Sequence, residues 1–237
     1  INPAALAAGS PDALFKLFVA LSMFQARRDV VIMRQQAQMS GGEARHLVSV
    51  GTIRRLAERS RCDRLGSAAR FDVGCNVHKD GKLVDCSHQP GAPCHVKDAS
   101  VLLKRMGDMG KLPTSAWLHA WKGGRLTKLL SEVQASEVDP QRRAELLVER
   151  FAGIHRVGVK LATLFVSALS TPALAPGLTP WFPAIDGNAL VVVDTHVARA
   201  VDLLRGPGAA ATYASRAGWI REQADWFDLQ KYNSALP

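Results

Sequence analysis

The sequence predicts an all-α fold. Three observations carry that expectation. Apolar residues recur at i, i+3, i+4 and i+7 in several separate segments, capping residues stand at the heads of these segments, and glycines or prolines follow their tails. Leu190 to Val193 is the only strand-like run, and it is too short to found a sheet.

The elements follow in order. Asp12 is placed to cap a helix whose buried face carries Leu14, Leu17, Phe18 and Leu21. Trp117 and Trp121, one helical turn apart, and Trp219 and Trp226, seven residues apart, read as core positions. Asp139 caps a helix that starts on Pro140 and carries Ala144, Leu147, Val148 and Phe151. A glycine turn then leads to Leu161, Leu164, Phe165 and Ala168. After Asp194, the stripe is Val197, Ala200, Val201 and Leu204, and Gly206-Pro207-Gly208 ends it. Two segments lack the helical period. Residues 62–95 are rich in Gly, Asp, Cys and His, and residues 171–188 hold Pro172, Pro176, Pro180 and Pro183 in a long loop.

Composition narrows the function. A chain of 237 residues with 47% hydrophobic and 22% charged residues builds a real core, which excludes an intrinsically disordered chain. The net charge of +9 is spread along the sequence, which fits a polyanionic partner such as nucleic acid. No apolar run reaches the ~18–20 residues that span a bilayer, and the first residues do not read as a signal peptide. An intracellular monomer is expected, with Cys62, Cys75, Cys86 and Cys94 as thiols or metal ligands rather than disulfides.

Two short blocks carry chemistry. Gly153-Ile154-His155-Arg156-Val157-Gly158-Val159-Lys160 reads as a turn between two helices, with a lysine in the second helix's first turn. Glycine lets the backbone approach a phosphate closely, and the N–H groups that open the next helix bind the anion. Val191-Val192-Val193-Asp194-Thr195-His196 places a carboxylate at the head of another helix, as an N-cap that can also steady positive charge on a sugar. An amine and a carboxylate offered together in a basic protein point to covalent chemistry on a nucleic acid.

At these residues the chain resembles the helix–hairpin–helix DNA glycosylases, the superfamily of endonuclease III and 8-oxoguanine glycosylase. Val157-Gly158-Val159-Lys160-Leu161-Ala162 is similar to the second half of the family's hairpin motif, and Val193-Asp194-Thr195-His196-Val197-Ala198-Arg199 to its aspartate block. The helix expected over Leu14 to Gln25, ending in the run Phe24-Gln25-Ala26, looks like the family's first barrel helix. The resemblance covers roughly residues 11–60 and 100–237. It departs from the pattern at three points. His155 and Arg156 stand where the family has Pro and Gly, 34 residues separate Lys160 from Asp194, and no cysteine follows Cys94.

The resemblance implies a two-lobed helical architecture with an active-site cleft between the lobes. Residues 25–186 would form a barrel-like lobe, with the hairpin at about 151–165 and residues 62–95 inserted. Residues 1–24 with 187–237 would form the second. It also implies a bifunctional glycosylase and AP lyase that extrudes a modified base, oxidised in the first expectation, from double-stranded DNA. Lys160 and Asp194 would be catalytic, and Gln25, His155, Arg156, Val157, Gly158, Val159 and Arg199 would contact DNA. Trp181 and Phe182 lie in the loop between the two catalytic candidates and are candidates for closing over the base. The alternatives are a monofunctional glycosylase using Asp194 and water, or a non-catalytic module that grips phosphates. No iron–sulfur cluster is expected. Independently of the family, Cys75, Cys86, Cys94, His78 and His88 are spaced so that a subset of four could hold structural zinc.

Overall fold

The structure, a computed structural model, describes residues 1–25, 28–76, 91–103 and 107–226. Among these residues all regular structure is helical and no β-strand occurs. The first half holds α1 (Pro3–Ala7), α2 (Pro11–Ser22), α3 (Asp29–Gln38), α4 (Gly41–Val48), α5 (Val50–Ser60) and α6 (Ala68–Gly74). The second half holds α7 (His95–Leu102), α8 (Leu112–Ala116), α9 (Arg125–Ser136), α10 (Pro140–Ala152), α11 (Gly158–Ser170), α12 (Thr195–Arg205) and α13 (Tyr213–Trp226). No helix among the described residues is long and apolar enough to cross a membrane.

Local chemistry sets the helix ends. Ser40 and Glu43 form a reciprocal capping box at α4, each side chain accepting from the other's backbone N–H. Asp139 caps α10 as expected, accepting from Gln141 N at 3.0 Å ahead of Pro140. Asp12, by contrast, does not cap α2. Pro11 takes the first helical position, where its fixed φ is favourable, so the N-cap falls on Ser10 and Asp12 pairs with Lys16 inside the helix.

The core is aromatic and joins segments far apart in sequence. Phe18 of α2 meets Phe165 of α11 edge-on at 4.9 Å and lies 5.5 Å from Phe151 of α10 and 5.3 Å from Trp121. The indole of Trp121 donates to the Pro11 carbonyl at 2.9 Å, so its one polar atom is satisfied inside the core. α2 therefore packs on α11, on α4 and on the Trp117–Trp121 turn, all within residues 25–186. α11 is buried nearly all round rather than along a single stripe. α12 departs from its expected stripe: Val201 is buried, but Leu204 is 73% exposed, because the helix presents its Val201 side to the rest of the protein and packs with α13.

A polar pair joins the first half to the second. His95, at the head of α7, is buried; its Nε2–H donates to the His46 carbonyl of α4, and its Nδ1 accepts from Thr114 Oγ1 of α8 at 3.0 Å. Burial pushes the imidazole pKa down from 6.5 to about 4, against the hydrogen bond to His46, which works the other way. Through that window the unfolded chain binds a proton that the folded one refuses, so stability is full above it and falls as pH falls. The total is on the order of 3 kcal/mol. His95→Gln keeps a donor for His46 and is expected to flatten this acid limb in urea midpoints measured across the window. An unchanged slope would remove His95 as its cause.

Candidate functional site

The hairpin forms between α10 and α11. Ile154 and Val157 anchor the turn in the core, and Val157 N donates back to the Ile154 carbonyl at 3.0 Å. Ser115 Oγ accepts from His155 N at 3.2 Å and ties the turn to α8. Arg156 adopts φ +64°, in the left-handed region that favours glycine and costs another residue ~1–2 kcal/mol. The backbone thus makes the turn the sequence led us to expect, although arginine occupies it. Gly158 opens α11 with φ +61° and free space where a side chain would point, so a ligand can reach its backbone. Arg156, Gly158 and Val159 are exposed, His155 is half-buried with its Nε2 turned inside, and the Val157 side chain is buried and can offer a ligand only its backbone.

Lys160 is half-buried in the first turn of α11 and makes no ion pair or hydrogen bond with any described residue. Asp194 caps α12, with Oδ1 accepting from both His196 N and Val197 N at 2.8 Å, which leaves Oδ2 without a hydrogen bond from any described residue. The Val197 N–H, followed by that of His196 and the charges of Lys160 and His196, holds its carboxyl below the usual carboxylate range despite partial burial.

The two groups line one cleft of about 570 Å³, together with Phe24, Arg28, Asp29, Thr195 and His196. The lining comes from the opening turns of α11 and α12 and from the exit of α2 and the start of α3. Phe24, Arg28 and Asp29 were not singled out for such a place from the sequence; the only local signal is a charged pair ahead of an apolar helix. Gln25 does not line the cleft, and its side chain donates to the Ser22 carbonyl at 2.7 Å. Arg199 is exposed one turn after Asp194 on α12.

Trp181 is not part of this cleft. It is 6% exposed, stacked on Phe151 with 12° between ring planes and edge-on to Phe165 at 5.6 Å. The Pro-rich loop folds inward at this residue because the large apolar ring gains more from the aromatic core than from solvent. Phe182 is 39% exposed and does not line the cleft either.

His78, Cys86 and His88 lie outside the described residues. Cys62, Cys75 and Cys94 line one cavity of about 30 Å³ with His95 and Phe71. Among the described residues no three His, Cys, Asp or Glu side chains are placed to hold a metal ion. His119 carried no signal in the sequence, yet it binds Asp72 Oδ2 at 2.8 Å. Burial raises the Asp72 pKa, but hydrogen bonds from His119 and Ser115 and the charges of His119 and His155 outweigh it and lower the pKa overall.

Comparison with protein-family models, with curated proteins and with solved structures finds no match.

A tyrosine hydroxyl fixes the carboxylate's approach. Tyr213 of α13 donates to the Val191 carbonyl at 2.7 Å, accepts from Val193 N at 3.2 Å, and shares a hydrogen bond with Thr163 Oγ1 of α11 at 3.3 Å. The extended run before Asp194 is thereby pinned to the helix that carries Lys160. Tyr213→Phe is expected to cost about 1–2 kcal/mol in denaturant melts and to speed hydrogen exchange at the Val193 amide. Unchanged protection of that amide would mean that another group holds the segment.

Proposed function

We propose that this chain is a DNA base-excision glycosylase with attendant AP lyase activity, an all-α protein of two helical lobes whose active site is the cleft between α2–α3 and α11–α12. The observation that carries the reading is an uncommitted primary amine and an ionised carboxylate, 34 residues apart in sequence, lining the same open cleft. The net charge of +9 and the open hairpin turn support a duplex as the partner. A modified base within a duplex has to be extruded to reach such a cleft.

The chemistry follows from the two groups. Asp194 Oδ2 steadies positive charge as the sugar takes on oxocarbenium character. The Lys160 Nζ lone pair attacks C1′, the bond from C1′ to the base breaks, and the base leaves with that electron pair and takes up a proton. Opening of the sugar ring and loss of a proton from nitrogen give a protonated imine. Removal of a C2′ proton then drives out the 3′ phosphate, and water hydrolyses the imine to free the lysine. The carboxylate is held by backbone N–H groups before substrate arrives, so little reorganisation is needed when charge develops.

Borohydride reduces such an imine to a stable amine and so traps protein on DNA. Trapping is expected with the native protein on duplexes bearing modified bases and is expected to vanish in Lys160→Ala. Base release that persists in Lys160→Ala, with no trapping in either protein, would indicate water as the nucleophile. Duplex binding with neither release nor trapping would reduce the chain to a DNA grip.

The capping and chemical roles of Asp194 separate by substitution. Asp194→Asn keeps an oxygen for the two N–H groups and is expected to leave the thermal midpoint close to native, whereas Asp194→Ala is expected to cost about 1 kcal/mol. Both are expected to lower base release by at least about 100-fold, the scale of losing one preorganised electrostatic group. Full activity in Asp194→Asn would leave the carboxylate with capping alone.

A further inference from the structure

We infer that Phe24, Arg28 and Asp29 form the wall that reads the extruded base. Phe24 stacks on its face, Arg28 donates to its edge, and Asp29 accepts from an N–H beside that acceptor. The inference rests on the glycosylase reading of the cleft and extends it from the sugar to the base.

Lys160 and Asp194 both line the cleft, and in the proposed reaction they address C1′. A base bonded to C1′ then meets the rest of the lining, which comes from Phe24 at the exit of α2 and from Arg28 and Asp29 at the start of α3. Phe24 is half-buried and packs against the hydrophobic core, so the ring is backed on one side while it lines the cleft. Aromatic faces of this kind take nucleobases of any sequence.

The charged pair supplies selectivity. The Arg28 and Asp29 side chains form no ion pair or hydrogen bond with each other or with any other described residue. No described residue thus competes with a ligand for their side-chain donors and acceptors. Their backbone is held firmly: Ile32, one turn further along α3, is fully buried, and the Gln36 side chain donates to the Ala20 carbonyl at 2.9 Å. An arginine here would suit a phosphate equally well, but a carboxylate beside it would repel one. Asp29 instead suits an N–H on a base. The pair fits a base whose presented edge carries an acceptor next to an N–H donor, and it disfavours an edge of two donors or two acceptors.

The test compares substrates with and without a base. Base release is measured on duplexes bearing uracil, hypoxanthine, 8-oxoguanine or thymine glycol, and borohydride trapping on a duplex bearing an abasic site, which offers the sugar aldehyde alone. Arg28→Gln and Asp29→Asn change exposed residues and should fold normally. Each is expected to lower kcat/KM for base release by about 10- to 100-fold while leaving abasic-site trapping within about twofold. Asp29→Asn, which can also donate, is expected to reorder the preferred bases, an effect that a purely structural residue would not produce.

Equal loss on both substrates, or loss on neither, overturns the base-reading wall. Trapping by the native protein without release of any base overturns the wall and leaves the lysine chemistry standing. Release without trapping overturns the lysine chemistry, and the wall is then judged by release against abasic-duplex affinity in the same variants. Neither release nor trapping overturns both.

Discussion

The cleft depends on how a mobile-looking stretch of sequence is held still. The rest of α11 and the Pro-rich loop separate Lys160 from Asp194, so the chain between them does not by itself fix their relation. The constraint is the Tyr213 hydroxyl, which bridges Val191 and Val193 to Thr163, a buried residue one turn beyond Lys160 on α11. A hydroxyl is suited to this role because it donates and accepts at one point, and so satisfies two backbone groups of a segment that has no sheet partner. Tyr213 comes from α13, so the C-terminal helix takes part in placing a carboxylate it does not carry.

The loop itself is anchored at two further points. Trp181 packs against both Phe151 and Phe165, and its backbone N–H donates to the Leu169 carbonyl at the end of α11. Gly187 then passes so close to α11 that a Cβ would lie 2.4 Å from Ser170 Oγ and 2.6 Å from Thr171 Oγ1. Its N–H donates to the Ser170 carbonyl at 2.9 Å, so the absence of a side chain converts close approach into a hydrogen bond. Together these contacts make the Pro-rich loop a strut between α11 and α12. The prolines suit that role, since they restrict the unfolded chain and so lower the entropy lost on ordering it.

Much of the helical skeleton was legible because caps and stripes are local signals. Asp139-Pro140, the buried face of α10 and the glycine turn before Lys160 all follow from residues within a few positions of one another. The failures share a different cause. Asp12 lost the cap to Ser10 because Pro11 shifted the helix start by two residues. Trp181 was placed by rings from α10 and α11, and the α12 stripe was rotated by packing with α13; neither influence is visible in the neighbouring sequence. In the candidate site, Lys160 and Asp194 were legible as types at helix starts. The rest of the lining was not, because Phe24, Arg28 and Asp29 become cleft residues only when α2 and α3 dock beside α11 and α12. His119 and Asp72, 47 residues apart, pair for the same kind of reason.

Asp194 unites the two levels of the molecule. As a cap it accepts two backbone N–H groups on one oxygen, which orients the carboxylate and keeps it ionised at once. The other oxygen is turned to use by this economy, since the plane of the carboxylate is already set by its partner. Had Lys160 formed a direct ion pair with that oxygen, the carboxylate would be screened from the cleft. The structure instead lets the amine's charge act on Asp194 without closing the pair, so both groups face the same space uncommitted. That arrangement adds little to stability, because an open, partly solvated cation and anion gain only modest Coulomb energy. Its cost is borne by the aromatic core and the Tyr213 bridge, and what it leaves available is an amine and a carboxylate in one cleft.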